Sequence, residues 1–234
     1  MENKKTIIAI IIISILIVAL IAVSFLYSKF NKTQLDTLTE ESNKLIQQDL
    51  INEEINEEIR TQKEYAIVEK TIKEYLTNIK NIYLEVEKLN SQINAEEIFS
   101  ASNAEDGKFN NVDSLVDEYK EKSKEYLEQC ISLIEEDSIM EAINNAELTA
   151  KKDYYVDLYK TVMLSDSMKN QLLKMEESVE KSRDNLIDKL TIVSNIKKFL
   201  EENSRYWNVK DDQLIFTNTN IMVQYYDLLN ELNS

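Results

Sequence analysis

The chain has no histidine, no proline, one glycine and one cysteine in 234 residues. Each scarcity removes a class of chemistry. Without histidine there is no Ser-His-Asp or Cys-His site, no Glu-x-x-His di-iron bundle and no HExxH zinc helix. A single glycine, Gly107, builds neither a phosphate-cradling loop nor a dinucleotide fingerprint. A single Cys130 leaves no intramolecular disulfide, no CxxC pair and no cysteine-built zinc or iron–sulfur site. Carboxylates abound, but on helices they read as solvated faces, and nothing in the pattern signals the cleft a glycosidase pair needs. The expectation is a protein that is not an enzyme and binds no cofactor or metal. The same shortage of Gly and Pro argues against a sheet-rich fold, whose tight turns need them.

What is present points to helices. Hydrophobic residues make up 43% of the chain, enough for a core. The net charge of −16 is unevenly placed. Residues 1–32 hold Lys4, Lys5, Lys29 and Lys32 against Glu2, which leaves 23 of the 27 basic and 42 of the 43 acidic residues to the rest. An acidic body of this kind is repelled by nucleic acid and by anionic lipid, so no nucleic-acid partner is expected. Heavy use of Ile, Asn, Lys, Glu and Tyr matches the AT-rich coding of low-GC Gram-positive bacteria.

The longest signal is Thr6–Ser28, TIIAIIIISILIVALIAVSFLYS, with no charge over 23 positions. As a helix it reaches about 34 Å, enough to cross a bilayer's hydrocarbon layer. Ile7, Ile10, Leu16 and Leu20 stand for its lipid face, and Phe25, Leu26 and Tyr27, with Phe30, for the interfacial belt where it leaves the bilayer. Residues 1–5 form a short basic start. The segment reads as a transmembrane signal-anchor, and the lipid bilayer is its partner. Cleavage after Ala22-Val23-Ser24, which would release a secreted body, is the alternative. The basic start and the acidic tail predict the N-terminus inside and the C-terminal body outside the cell membrane.

Residues 29–60 read as a stalk or lower helix, or as a lightly packed lower bundle. Their apolar positions are sparse, and INEEINEEI at Ile51–Ile59 places a narrow stripe on an acidic helix. A sharper pattern opens residues 61–204. Tyr65, Ile72, Ile79, Val86 and Ile93 recur every seven residues, with Val68, Tyr75, Ile82 and Leu89 three later and Leu76 and Tyr83 widening the seam. These seams predict a helical partner, within the chain or from a second copy. The turn at residues 100–111 contains Gly107. An EF-hand register there puts Ser102, Ala104 and Asp106 at ligand positions and Asp113 at the twelfth, so required acidic ligands are missing.

A second helix starts near Asp113. Its stripe of Val112, Val116, Tyr119, Tyr126, Cys130 and Ile134 predicts a buried thiol. The stripe carries on through Ile143, Tyr154, Leu158 and Val162, predicting one helix to Ser165; a capping box at Ser138–Glu141 marks the alternative break. A third helix follows Ser165, with Leu172, Val179, Leu186, Val193 and Leu200 at heptad spacing, and ends near Asn203. In residues 205–234, YWNVKDDQLIF predicts a hairpin (Tyr206–Phe216), and Thr217–Asn220 caps a last helix, Ile221–Leu232. The fold class is all-α: a transmembrane helix, an elongated antiparallel three-helix coiled-coil-like bundle, and an end-capping hairpin with a short terminal helix.

Tyr75, Tyr83, Tyr119, Tyr126, Tyr154, Tyr155 and Tyr159 fall on or beside apolar stripes, as core and seam residues do. Tyr206, Trp207 and Phe216 either close the end of the core or form a candidate partner surface. Three functions fit: an interaction or scaffold protein of the cell envelope, a ligand-binding sensory-type ectodomain working through a partner chain, or, with reversed topology, a cytoplasmic coiled-coil adaptor.

Overall fold

The computed structural model describes residues 2–104, 109–211 and 213–233, with side chains from residue 20 onward. Among the described residues the fold is mostly helical, in the order α1 (Glu2–Gln47), α2 (Glu64–Ser91), α3 (Ala95–Ile98), α4 (Asn110–Ile134), α5 (Glu136–Asn144), α6 (Lys152–Met163), α7 (Asp166–Glu202), β1 (Trp207–Lys210), β2 (Gln213–Phe216) and α8 (Thr219–Leu232).

Helices α2, α4 and α7 form the expected up-down-up bundle. Asn90 of α2 bonds to Ser182 of α7, and Gln92, at the end of α2, accepts from Tyr119 near the start of α4. Lower on α2, the Tyr75 hydroxyl donates to the carbonyl of Leu133 late in α4. The heptad positions supply the core: Tyr65, Val68, Ile72, Ile79 and Val86 face Met168, Leu172, Met175 and Val179 in the lower half. Leu186, Leu190, Val193, Ile196 and Leu200 do the same in the upper half with Leu89, Val112 and Val116. The partner that the α2 and α7 seams demand is therefore in the same chain. Between the two apolar halves, Asn90, Ser123 and Ser182 are buried, one small polar residue from each helix. The Asn90 Nδ2 donates to the Ser182 carbonyl (3.0 Å) and hydroxyl (3.1 Å), and the Ser182 hydroxyl donates to Glu87. Such a layer fixes register at a cost in stability.

The structure departs from the expected stalk at residues 29–60. Helix α1 stops at Gln47, and INEEINEEI is not helical. The Asp49 carboxylate accepts the backbone N–H groups of Ile51 and Asn52, and Asn56 accepts that of Glu58, local bonds that compete with a helix. The segment folds back as an irregular strap along α2, and Leu38, Leu45, Leu50 and Ile55 are buried in the same core as Ile72. The stretch is thus a fourth layer of the lower bundle, the second of the two sequence readings, but with an irregular strap in place of the expected helix.

The second helix is three, not one. A continuous helix would carry Asp137 and Glu141 onto the face defined by Cys130 and Ile134, since they follow at i+7 and i+11. The chain breaks instead at Glu135, which turns extended (ψ 142°). After this break α5 buries Ile139 and Ile143. The break lies three residues before the proposed capping box, and Glu135, without a side-chain cap bond, takes the N-cap place.

The end of α2 also departs from the sequence reading. The heptad spacing runs on through Ile93 towards Ser100, but α2 ends at Ser91, the Asn94 side chain caps the short α3 through the Glu96 N–H, and α4 begins at Asn110, three residues early. The boundaries of α7, the hairpin and α8 follow the sequence closely. The Ser165 hydroxyl caps α7 through the Met168 N–H (3.2 Å), and Asn218 caps α8 through Asn220 and Ile221. The hairpin pairs Trp207 with Phe216 and Lys210 with Gln213. In a chain with one glycine, Lys63, Lys151 and Asp211 take positive φ (55°, 49° and 51°) where the backbone turns sharply.

Candidate functional site

The most elaborate side-chain constellation lies where α1, the strap and α2 meet. Lys73 and Glu69, one turn apart on α2, are 3% and 2% exposed at the side chain, and Glu41 of α1 is 7% exposed. The Lys73 ammonium has three donors and three acceptors: Glu69 Oε1 (2.7 Å), the Glu58 carbonyl (2.6 Å) and Glu41 Oε2 (3.4 Å). Glu69 also accepts the Arg60 and Thr61 N–H groups and the Thr61 hydroxyl. Glu41 accepts from Lys44 (2.8 Å) and Arg60 (3.3 Å). Burial pushes both carboxyls up, but bonds from Lys44 and Lys73 to Glu41, and from Lys73, Thr61 and Arg60 to Glu69, outweigh it and hold both below the usual carboxylate value.

This arrangement is a latch. It pins an irregular strap whose carbonyls have no helix to satisfy them. Lys80, seven residues beyond Lys73, donates to the Glu53 carbonyl (2.6 Å), Gln48 to that of Glu54 (2.6 Å), and Gln34 accepts the Gln62 N–H (2.7 Å). The signal for it was legible in part. Glu69, Lys73, Leu76 and Lys80 share one face of α2, and Leu76 widened the seam because that face takes the strap and α1. What the pattern did not carry is that two charges would be buried there.

Open grooves flank the latch. One, of about 400 Å³, runs between the strap and α2 past Glu57, Ile59, Lys70 and Glu74; another, of about 450 Å³, lies between α2 and α5 at Thr71, Tyr75 and Ala142. Among the described residues no group of three or more His, Cys, Asp or Glu side chains is placed to hold a metal ion. Asp106 and Gly107 of the EF-hand register lie outside the described residues.

The predicted residues fall as follows. Cys130 is fully buried, and desolvation with the Glu176 charge pushes its thiol up to about 11. Tyr75, Tyr155 and Tyr159 are core residues, Tyr83, Tyr119 and Tyr126 are half-buried, and Tyr154 is exposed. Burial pushes the Tyr75 hydroxyl up to about 12 and the Tyr159 hydroxyl higher still. Trp207 is 6% exposed; its indole donates to the Leu200 carbonyl (2.8 Å), and its ring lies 5.9 Å from Phe109. It closes the upper core instead of offering an indole to a partner. Phe216 is half-buried against Tyr225 (5.1 Å), and Tyr206 lies under Arg205 (4.5 Å). The three residues are brought together at one end of the bundle, but the exposed apolar side chains there are Val209, Ile215, Val223 and Tyr226.

Of the anchor residues, Ile7, Ile10 and Leu16 lie outside those whose side chains are described. Leu20, Phe25 and Leu26 are 66%, 69% and 63% exposed, and Tyr27 is exposed. Among the described residues no helix is long and apolar enough to cross a membrane; most of the Thr6–Ser28 run falls outside the described side chains. No protein-family model, curated protein or solved structure matches the chain.

Proposed function

We propose that the chain is a non-enzymatic, single-pass membrane-anchored protein that presents an acidic helical bundle outside the cell membrane as an interaction or scaffold module. The observation that carries this reading is that α1 meets two surroundings along its length. From Leu20 to Leu26 its large apolar side chains stand exposed, whereas from Gln34 onward its inward face is buried against α2. Upstream the run has no charge back to Thr6. A contiguous apolar sleeve of that size is unfavourable in water and favourable in lipid. The scaffold reading rests on the chemistry the chain lacks and on its filled internal seams. Partners are then met by the acidic outer faces and by the end of the bundle that carries Ile215, Val223 and Tyr226.

The test is protease shaving of intact cells, blotting for a tag after Ser234, with medium and protoplast lysate alongside. Loss of the tag from intact cells supports the outside body. Protection until lysis moves the body to the cytoplasm and favours the adaptor reading. A shortened species in the medium overturns the anchor.

A further inference from the structure

The body as a whole is acidic and is repelled by anionic lipid, yet the fold gathers lysines at one end. Lys63 stands at the start of α2 and Lys151 at the start of α6. Neither caps its helix with its side chain. Both reach back to α1 instead: Lys63 Nζ lies 5.0 Å from the Phe30 ring centre and Lys151 Nζ 5.2 Å from that of Tyr27. Both backbones have positive φ, which costs free energy for a residue with a side chain. Lys152 follows directly, and Lys29 and Lys32 stand exposed on α1 at the same level. Acidic groups stand near these five lysines too: Glu64, which accepts from Thr149, Asp153, Glu147 in the loop before Lys151, and Asp36 one turn beyond Lys32, and Lys152 also donates to the Asn144 carbonyl (3.1 Å).

The level is the decisive point. Tyr27 and Phe30 mark where the uncharged run ends, the depth at which aromatic rings sit among headgroups. Ammonium groups stacked on those two rings are therefore at headgroup depth, and so are the ends of α2 and α6 that carry them. A stalk would have held them well away. Folding the strap down along α2 removes the stalk and, with the uncharged run in a bilayer, brings this basic end to the membrane surface.

We propose that this end of the bundle is a docking face for anionic phosphate headgroups, with Lys63 and Lys151 as its principal contacts and Lys29, Lys32 and Lys152 around them. The inference rests on the anchor reading above. It makes the body sit on the membrane with a defined orientation instead of swinging on a tether.

The test uses the full chain in lipid nanodiscs of phosphatidylcholine alone or of an equimolar mixture with phosphatidylglycerol, and reads the acetylation rate of each lysine by mass spectrometry. Acetylation needs the neutral amine, and a lysine at an anionic surface gains about 1 kcal/mol as ammonium, so Lys63 and Lys151 slow about fivefold in the mixed discs. Lys29, next to the span, slows in either geometry and is the positive control; Lys181, far along α7, does not change. Incorporation with slowing at Lys29 but unchanged rates at Lys63 and Lys151 overturns the docking face alone. A chain that does not enter the discs overturns the anchor and the docking face with it.

Discussion

The Lys73 ammonium lies 2.7 Å from the Glu69 carboxylate, with both side chains almost wholly removed from water. Glu41 of α1 and the Glu58 carbonyl of the strap complete the ammonium's set of acceptors. One side chain thus ties three segments together. A buried pair repays its desolvation only when its remaining hydrogen-bonding positions are filled, and here they are filled by backbone groups of the strap.

Removing one member exposes that dependence. Lys73→Met leaves Glu41 and Glu69 buried without their shared cation and destabilises the chain by about 3–5 kcal/mol. Lys70→Met, which breaks only the exposed pair with Glu74, costs less than about 1 kcal/mol. Guanidinium unfolding of both variants is the measurement, and equal losses would refute the latch.

The latch also sets an acid limit. Glu41 and Glu69 titrate below the ordinary value of 4.5 when folded, so the unfolded chain binds more protons as the pH drops. The stability they confer is complete above 4.5 and is lost as the pH falls through the lower folded values. Hydrogen exchange in residues 48–63 is expected to accelerate first. The acid slope of unfolding stability flattens in Glu69→Gln; an unchanged slope would sink the assignment.

The polar layer at Asn90 trades stability for register. Its Oδ1 is buried with no hydrogen-bond partner from the chain. Asn90→Leu is expected to raise stability by about 1–2 kcal/mol, because an unsatisfied buried acceptor is removed and apolar area gained. Thermal unfolding checks this, and a lowered midpoint would show that the Ser182 bonds outweigh the orphaned oxygen.

Lys63 holds φ 55° and ψ −137°, a region that suits glycine. Lys63→Gly is expected to stabilise the fold by about 1 kcal/mol, strain relief exceeding the extra chain entropy of glycine. Denaturant midpoints of the two chains decide it; a drop of similar size would mean that the contact with Phe30 is worth more than the strain.

The Cys130 thiol, buried and pushed up to about 11, holds almost no thiolate at neutral pH. Alkylation by iodoacetamide at pH 8 is expected only on unfolding. Rapid labelling of the native chain would place Cys130 outside the core.

The helical periods were legible because burial on one face writes itself into the spacing of apolar residues. The α2 heptads up to Leu89, the α7 heptads, the start of α7 after Ser165 and the hairpin within Tyr206–Phe216 could all be read from the chain. The break at Glu135 was half legible, since Asp137 and Glu141 fall where a continuous stripe would be buried. The irregular path of the strap was not legible: its isoleucine repeat fits a helix, and the bonds that hold it come from side chains 8 to 27 residues further on, Glu69, Lys73 and Lys80, together with local bonds to Asp49 and Asn56.

The sequence by itself determined the helical class, the uncharged run at Thr6–Ser28 and the overall acidity, because each is a sum or a period along the chain. Tertiary structure alone decided that Lys73 and Glu69 are buried together, that the strap folds down beside α2, and that Lys63 and Lys151 meet on the rings of Phe30 and Tyr27. Lys73 and Glu69 are only one turn apart, but what buries them comes from Glu41 and the strap. The ring contacts join residues dozens to over a hundred positions apart, and no local propensity encodes the competition between burying a charge and satisfying it.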